Sequence, residues 1–225
     1  MKTLLLCCKT IEHEIQLAME QTGVHYPIRW VESGLHNIPS QLTDRLRQEL
    51  HALPPDTDRL LLGFGYCGNA ITGLATGSFE MIVPRADDCI TLMLGSYRRR
   101  QEIMEEAGSY FLTEGWLNGE RNIWVEFEHA RARYGEARAR KLYASMLSHY
   151  SRLAVVDTGA YDVERICPTT EMIARELGLR HEVLPGSMDL FRRLLTGPWD
   201  DDTFLTIPPN STITAQQLRM PQQEE

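Results

Sequence analysis

Three cysteines stand where a chain of this kind could do chemistry. Cys8 closes "TLLLCC", Cys67 sits inside the glycine-rich "GFGYCGN", and Cys89 follows "VPRADD". Each stands at or just beyond the end of a run of strand type, at 3–8, 60–64 and 80–85. In an open α/β sheet, ligands collect outside the carboxyl ends of the strands, above all where the strand order reverses. Parallel neighbours would carry all three thiols to that edge. Three thiolates suit zinc, with water or a histidine as fourth ligand, or an iron–sulfur cluster with one iron left open. Gly63, Gly65 and Gly68 would let the backbone approach closely and turn N–H groups toward a bound anion or cluster sulfide. Against this stands a plainer assignment: free cysteine is among the most buried residue types, and the chain has no close CxxC pair. Cys7 and Cys167 are assigned to the core. Neighbours on a strand face opposite ways, so only one of Cys7 and Cys8 can meet a shared site.

Other polar groups fall in the same loops. Asp88 is placed to cap a helix opening at Cys89, and Arg85 to pair with an acid or to meet a ligand carboxylate. A thiol in the first turn of that helix is expected to ionise more readily, because the helix terminus favours the anion. His36 in "SGLHNIP" is the histidine nominated as a fourth ligand. His13, His25, His51, His129, His149 and His181 lie among charges and read as solvated. Glu114 in "FLTEGW" ends a predicted strand beside Trp116. It is a candidate general acid, with Asp88 the second candidate acid, while Trp116 and Tyr66 are candidates for an apolar wall. The GxGxxG spacing at 63, 65 and 68 is not a dinucleotide fingerprint, since Pro84 and Arg85 stand where the ribose-binding acid should be. "YRRR" at 97–100 lies among glutamates and reads as a solvated helix face.

The elements that must position these groups alternate along the chain. "TLLLCC" reads as a strand. "IEHEIQLAMEQTG" spaces Ile11, Ile15 and Met19 as one helix face before Gly23. "YPIRWVES" is a strand, "PSQLTDRLRQELHAL" a helix with Leu42, Leu46, Leu50 and Leu53 on one face, and "RLLLGFG" a buried strand. "EMIVPR", "SYFLTEGW", "RLAVVDTG", "RHEVLPG" and "TFLTIPP" continue as strands. "CITLMLGSYRRRQEIMEEAG", the block 119–150, "DVERICPTTEMIAREL" and "SMDLFRRLLTG" continue as helices. This order predicts a mostly parallel sheet arrangement with helices on both faces, a Rossmann-like three-layer sandwich. A two-lobed form would have lobes at 1–118 and 151–209 bridged by the helices of 119–150, and 210–225 reads as a flexible tail.

Composition narrows the partners. A chain of 225 residues, 43% hydrophobic and 24% charged, is globular in class. Its formal net charge of -8 argues against electrostatic binding of nucleic acid or anionic lipid and leaves a small or cationic ligand, or a protein partner. No apolar run approaches the ~20 residues that span a bilayer. Five cysteines, odd in number and unevenly spaced, do not form a disulfide framework and point to the cytoplasm.

The segments "GYCGNAITGL", "VPRADDCITLMLGS", "GSYFLTEGW", "VVDTGAYD" and "LPGSMDLFRRLLTGPWDDDTFLTIPP", in that order over nearly the whole chain, resemble domain-of-unknown-function family 1638, DUF1638. That family's pattern is matched by Cys8 followed by Glu14, by the cysteine turn at Cys67, and by Asp88 with Cys89. It has glycine after the first cysteine and histidine before the aspartate. Here Lys9 and Asp87 stand instead, which speaks against a ligand role at position 87. The resemblance implies an association with corrinoid-dependent methyltransferases in anaerobic one-carbon metabolism, a corrinoid being met only through a partner protein. Two functions of different class follow. One is a metalloenzyme or metal-cofactor accessory protein using Cys8, Cys67 and Cys89, with Arg85, Asp88, His36, Glu114, Trp116 and the backbone at Gly65 and Gly68 shaping the pocket. The other is a non-catalytic module that binds a small molecule or a corrinoid protein and whose cysteines fill the core.

Overall fold

The computed structural model describes residues 1–119 and 121–218. The first half of the chain runs β1 (Thr3–Cys8), α1 (Glu12–Thr22), β2 (Ile28–Val31), α2 (Pro39–His51), β3 (Arg59–Gly63), β4 (Glu80–Pro84), α3 (Cys89–Leu94) and α4 (Tyr97–Glu106). Then follow β5 (Ser109–Leu112), α5 (Glu114–Leu117), α6 (Ile123–Tyr134), α7 (Glu136–Met146), β6 (Arg152–Asp157), α8 (Val163–Leu177), β7 (Arg180–Pro185), α9 (Asp189–Thr196) and β8 (Phe204–Ile207). One sheet has the order β2-β1-β3-β4-β8 and a second β5-β6-β7. All pairings are parallel except β4 with β8. The mostly parallel α/β sandwich predicted from the alternation is therefore the fold observed.

Period-two alternation sorts the core. Leu5 and Cys7 face α1, α3 and α9, and Ala154 and Val156 of β6 join the same cluster. Leu4, Leu6 and Cys8 face the other way, onto Leu42, Leu46 and Leu50 of α2. The opposite face of the second sheet, with Leu153 and Val155, packs on α6, α7 and α8. Each sheet is thus covered on both faces.

Local chemistry sets the ends of the elements. The run 89–108, predicted as one helix, is two: Gly95 takes a left-handed conformation at φ 87° and ends α3, and Ser96 caps α4 by accepting from the Arg99 N–H. Likewise Thr113 accepts from the Trp116 N–H, so Glu114 opens a short helix instead of ending a strand. The division into lobes 1–118 and 151–209 does not follow the sheets. β5 lies before the helical block yet pairs with β6, and β8 returns from the far side to pair with β4. The tail is also more ordered than expected through residue 218. Ile213 and Leu218 are buried, and Thr212 forms a bridge with Ala75. The rest of that tail, 219–225, lies outside the described residues.

Candidate functional site

The order β2-β1-β3-β4 reverses between β1 and β3: the chain steps from β1 to β2 on one side, then crosses to β3 and β4 on the other. At that reversal a cavity of about 210 Å³ opens at the carboxyl ends of the strands. Cys8 ends β1, Cys67 follows β3, and Cys89 follows β4 as the first residue of α3; all three line the cavity. Gly65, Gly68, Asp88 and Trp116 line it too. The pleat separates the adjacent pair as strand geometry demands: Cys8 meets the cavity while Cys7 packs on the far face against Gly63.

The turn that presents Cys67 is tightly specified. Cys67, Gly68 and Asn69 have φ of 46°, 66° and 66°, three consecutive left-handed residues, a conformation costly for a side chain other than glycine or asparagine. The Tyr66 and Cys67 N–H groups donate to the Ala86 and Asp87 carbonyls at 2.7 and 2.8 Å, so the loops after β3 and β4 are stitched together. Gly65 lies directly on the backbone of Asp88, where a Cβ would stand 2.4 Å from its Cα. The glycines serve this packing. Gly63 yields to Cys7 and Gly65 to Asp88, the close approach that only a missing Cβ allows.

Burial dominates the electrostatics. Desolvation pushes the thiols of Cys8, Cys67 and Cys89 upward, and for Cys67 and Cys89 the neighbouring thiols and Asp88 push the same way. The easier ionisation expected for Cys89 at a helix start is therefore overturned, since that thiol is only 7% exposed. The Cys8 sulfur lies 3.0 Å from the Thr10 hydroxyl, and Trp116 interacts with the Cys89 sulfur. Asp88 caps α3, accepting from the Ile90 and Thr91 N–H groups at 2.9 and 3.2 Å. Its carboxyl is raised by burial against the opposing charge of Arg100. Arg100, not Arg85, holds the acid pair, with Nη1 at 2.6 Å from Asp87 and 2.7 Å from Asp88. One member of the "YRRR" face is thus turned inward.

Arg85 is engaged elsewhere and does not line the cavity. Its Nε donates to the Asp201 carbonyl at 2.6 Å and its Nη1 to the Gln217 carbonyl at 2.9 Å, which ties down the segments before and after β8. Tyr66 is buried beside it and is likewise absent from the cavity wall. His36 falls in a short 3-10 turn at Ser33–Asn37, and its side chain lies outside what the structure describes. Cys167, assigned to the core, is half-buried on α8.

A family model described as "Protein of unknown function (DUF1638)" matches residues 30–195. The chain belongs to the DUF1638 family. The matched span of this DUF1638 chain holds Cys67, Cys89 and Trp116, while Cys8 precedes it. No match was found among curated proteins or among solved structures. Among the described residues, no helix is long and apolar enough to cross a membrane.

A second polar group of this DUF1638 chain forms where the start of α1 meets the ends of β5 and β6, and it went unseen in the sequence. Glu114, placed beside Trp116 as a pocket acid, is 3% exposed and is absent from the thiol cavity. It pairs with Arg165 and lies 3.4 Å from His13 Nδ1. His13, read as solvated, is thus tied to a buried carboxylate. Next to it Glu14, 2% exposed, accepts from the Thr158 hydroxyl at 2.8 Å. The family pattern around Glu14 was the one available signal for this group. Burial raises the Glu14 carboxyl above its ordinary 4.5. The folded chain then keeps a proton that the unfolded chain releases, so this contribution to stability is whole below the ordinary value and is lost as pH rises through the raised one. Glu14→Gln, which keeps the acceptor for Thr158, should gain on the wild type as pH rises from about 4. Urea midpoints measured across pH check this; a constant difference between the two proteins would contradict it.

Proposed function

We propose that this DUF1638 protein is a cytoplasmic thiolate metal-binding protein in which Cys8, Cys67 and Cys89 hold zinc or an iron–sulfur cluster. In this reading it acts as an enzyme or accessory protein of corrinoid-dependent methyl transfer in one-carbon metabolism. One observation carries the reading: thiols from the ends of three adjacent parallel strands line a single cavity at the point where strand order reverses. The donor chemistry fits, because soft thiolates select zinc and iron–sulfur clusters. The cavity also exceeds the roughly 30 Å³ share of one water, leaving room for an exogenous ligand beside an ion. Among the described residues no group of three or more His, Cys, Asp or Glu side chains is already arranged to hold a metal ion. Binding therefore requires the cysteines to rearrange until the sulfurs lie within about 4 Å of one another. Asp88 supplies an oxygen donor on the same wall, and the turn carrying His36 follows β2 on the same side. When bound, such a metal would supply Lewis acidity toward a thiol or a methyl donor. The chain itself buries Cys8 and Cys89, holds Asp88 in place through Arg100, and closes one wall with Trp116.

The neutral, buried thiols and the unassembled ligand geometry favour a second function, a non-catalytic module for a small polar molecule or a corrinoid protein. Anaerobic purification with elemental analysis and a visible spectrum separates the two. Stoichiometric colourless zinc, or iron with sulfide and visible absorption, is the expected result; protein free of both after growth and reconstitution with each would leave only the second function.

A further inference from the structure

Beside the thiol cavity lies a larger groove of about 490 Å³, and Trp116 lines both. Three more aromatic rings, those of Tyr110, Tyr143 and Tyr150, line the groove, together with Glu126 and Arg121. This volume falls within the usual range for small-molecule sites. Tyr110 and Tyr150 meet edge to face with centroids 5.7 Å apart, which fixes the two ring planes at a steep angle to one another. Tyr143 is held from behind by Phe127, also edge to face, at 5.1 Å.

Aromatic faces carry negative quadrupole charge, and rings set at different angles around one space attract an organic cation too poorly hydrated to prefer water. Burial and the neighbouring phenols, with the Glu126 carboxylate, push the Tyr110 hydroxyl up to about 12, so this ring stays neutral at working pH. The same Glu126 charge acts on Tyr143, which places the carboxylate close to two of the rings. No ion pair joins Glu126 or Arg121 to another described residue. Arg121 lies over Gly34, its Cδ 3.6 Å from where a Cβ would stand there, on the side of the groove nearer the turn after β2. The groove thus offers four aromatic rings with a carboxylate, and a guanidinium with which no other described residue forms an ion pair.

We propose that this groove binds a small zwitterion of the betaine class, its quaternary ammonium among Trp116, Tyr110, Tyr143 and Tyr150 with Glu126, and its carboxylate on Arg121. The ammonium is recognised by the ring faces and the nearby anion, the carboxylate by the planar fork of the guanidinium. This site does not depend on a metal at the cysteines. Trp116 is the wall that this groove shares with the thiol cavity.

The test compares glycine betaine with 3,3-dimethylbutyrate, which replaces the ammonium nitrogen by carbon and keeps the shape and the carboxylate. Titration calorimetry on the full-length protein should show betaine binding about tenfold more tightly than the isostere. Tyr110→Phe should retain that preference and Tyr110→Leu should lose most of it, while Glu126→Gln should weaken betaine and leave the isostere unchanged. Equal affinity of the two compounds for the wild-type protein, or no binding of betaine at all, would overturn the proposal without any variant needing to fold. The same titration on Cys67→Ser separates the two sites: betaine binding should persist there whatever happens to metal content, and its loss would contradict the independence of the groove.

Discussion

Gly65→Ala should cost about 3 kcal/mol of stability, at the upper end of the usual range for overpacking. An added Cβ would stand 2.4, 2.6 and 2.7 Å from the Cα, C and N of Asp88. All three are backbone atoms, so no side chain can swing aside. Relief requires the loop after β3 to part from the loop after β4, and that breaks the bonds from Tyr66 and Cys67 to the Ala86 and Asp87 carbonyls. The same movement draws Cys67 away from Cys89. The variant is thus expected to lose both stability, read as a urea midpoint, and the geometry of the thiol cavity. Gly68→Ala is the useful contrast. Its nearest neighbour is Pro39 at 3.4 Å, so the cost there is the left-handed backbone at φ 66° alone, about 1 kcal/mol. Equal losses for the two variants would show that the Gly65 contact is not what holds the loops together.

Arg152→Ala should cost about 3 kcal/mol, for a different reason. Arg152 opens β6 and is fully buried. Its Nε donates to the Ser109 hydroxyl at 2.6 Å, its Nη2 to the Ile103 carbonyl and its Nη1 to Glu182, both at 2.9 Å. One side chain therefore joins the end of α4 to β5, β6 and β7. Truncation leaves a cavity the size of the stem and strips those acceptors of their donor. Arg152→Met keeps most of the stem volume, Glu182 retains Arg180 at 3.2 Å and the other carboxylate near Arg152, Glu106, is exposed, so the variant should recover about half of the loss. Thermal and urea unfolding of the pair give the comparison, and an alanine variant as stable as the wild type would contradict the role assigned to this guanidinium.

Arg152 also shows where reading the sequence ended. "RLAVVD" is legible as a strand, because four apolar residues in a row have one stable place in a parallel sheet. Nothing in the pattern says that its leading arginine is enclosed, since the partners come from residues 103, 109 and 182. The three thiol positions were legible for the opposite reason. A residue just past a buried parallel strand has its place set by the sheet, so Cys8, Cys67 and Cys89 could be brought to one edge without knowing any side-chain contact. Arg85 and Arg100 mark the limit of that logic. Both are arginines near the acid pair in sequence, and the choice of Arg100 depends on the break at Gly95 that redirects α4. Glu114 moved from strand end to helix start because Thr113 caps the turn, a side-chain bond that apolar periodicity does not register. The splitting of the strands into two sheets was hidden for a similar reason: β5 joins β6 across the helical block 119–150, a choice made by packing on α6, α7 and α8.

The cysteines' shared role is tested most directly by metal content per chain in wild type, Cys8→Ser, Cys67→Ser, Cys89→Ser and Cys7→Ala, each purified anaerobically and reconstituted with zinc or with iron and sulfide. Cys7 is the internal control, since it adjoins Cys8 in sequence but packs on the opposite face of β1 against Gly63. Near one metal centre per chain is expected in wild type and Cys7→Ala, with a sharp fall in each of the three serine variants. Equal metal content in all five proteins, or a loss confined to Cys7→Ala, would contradict the shared role.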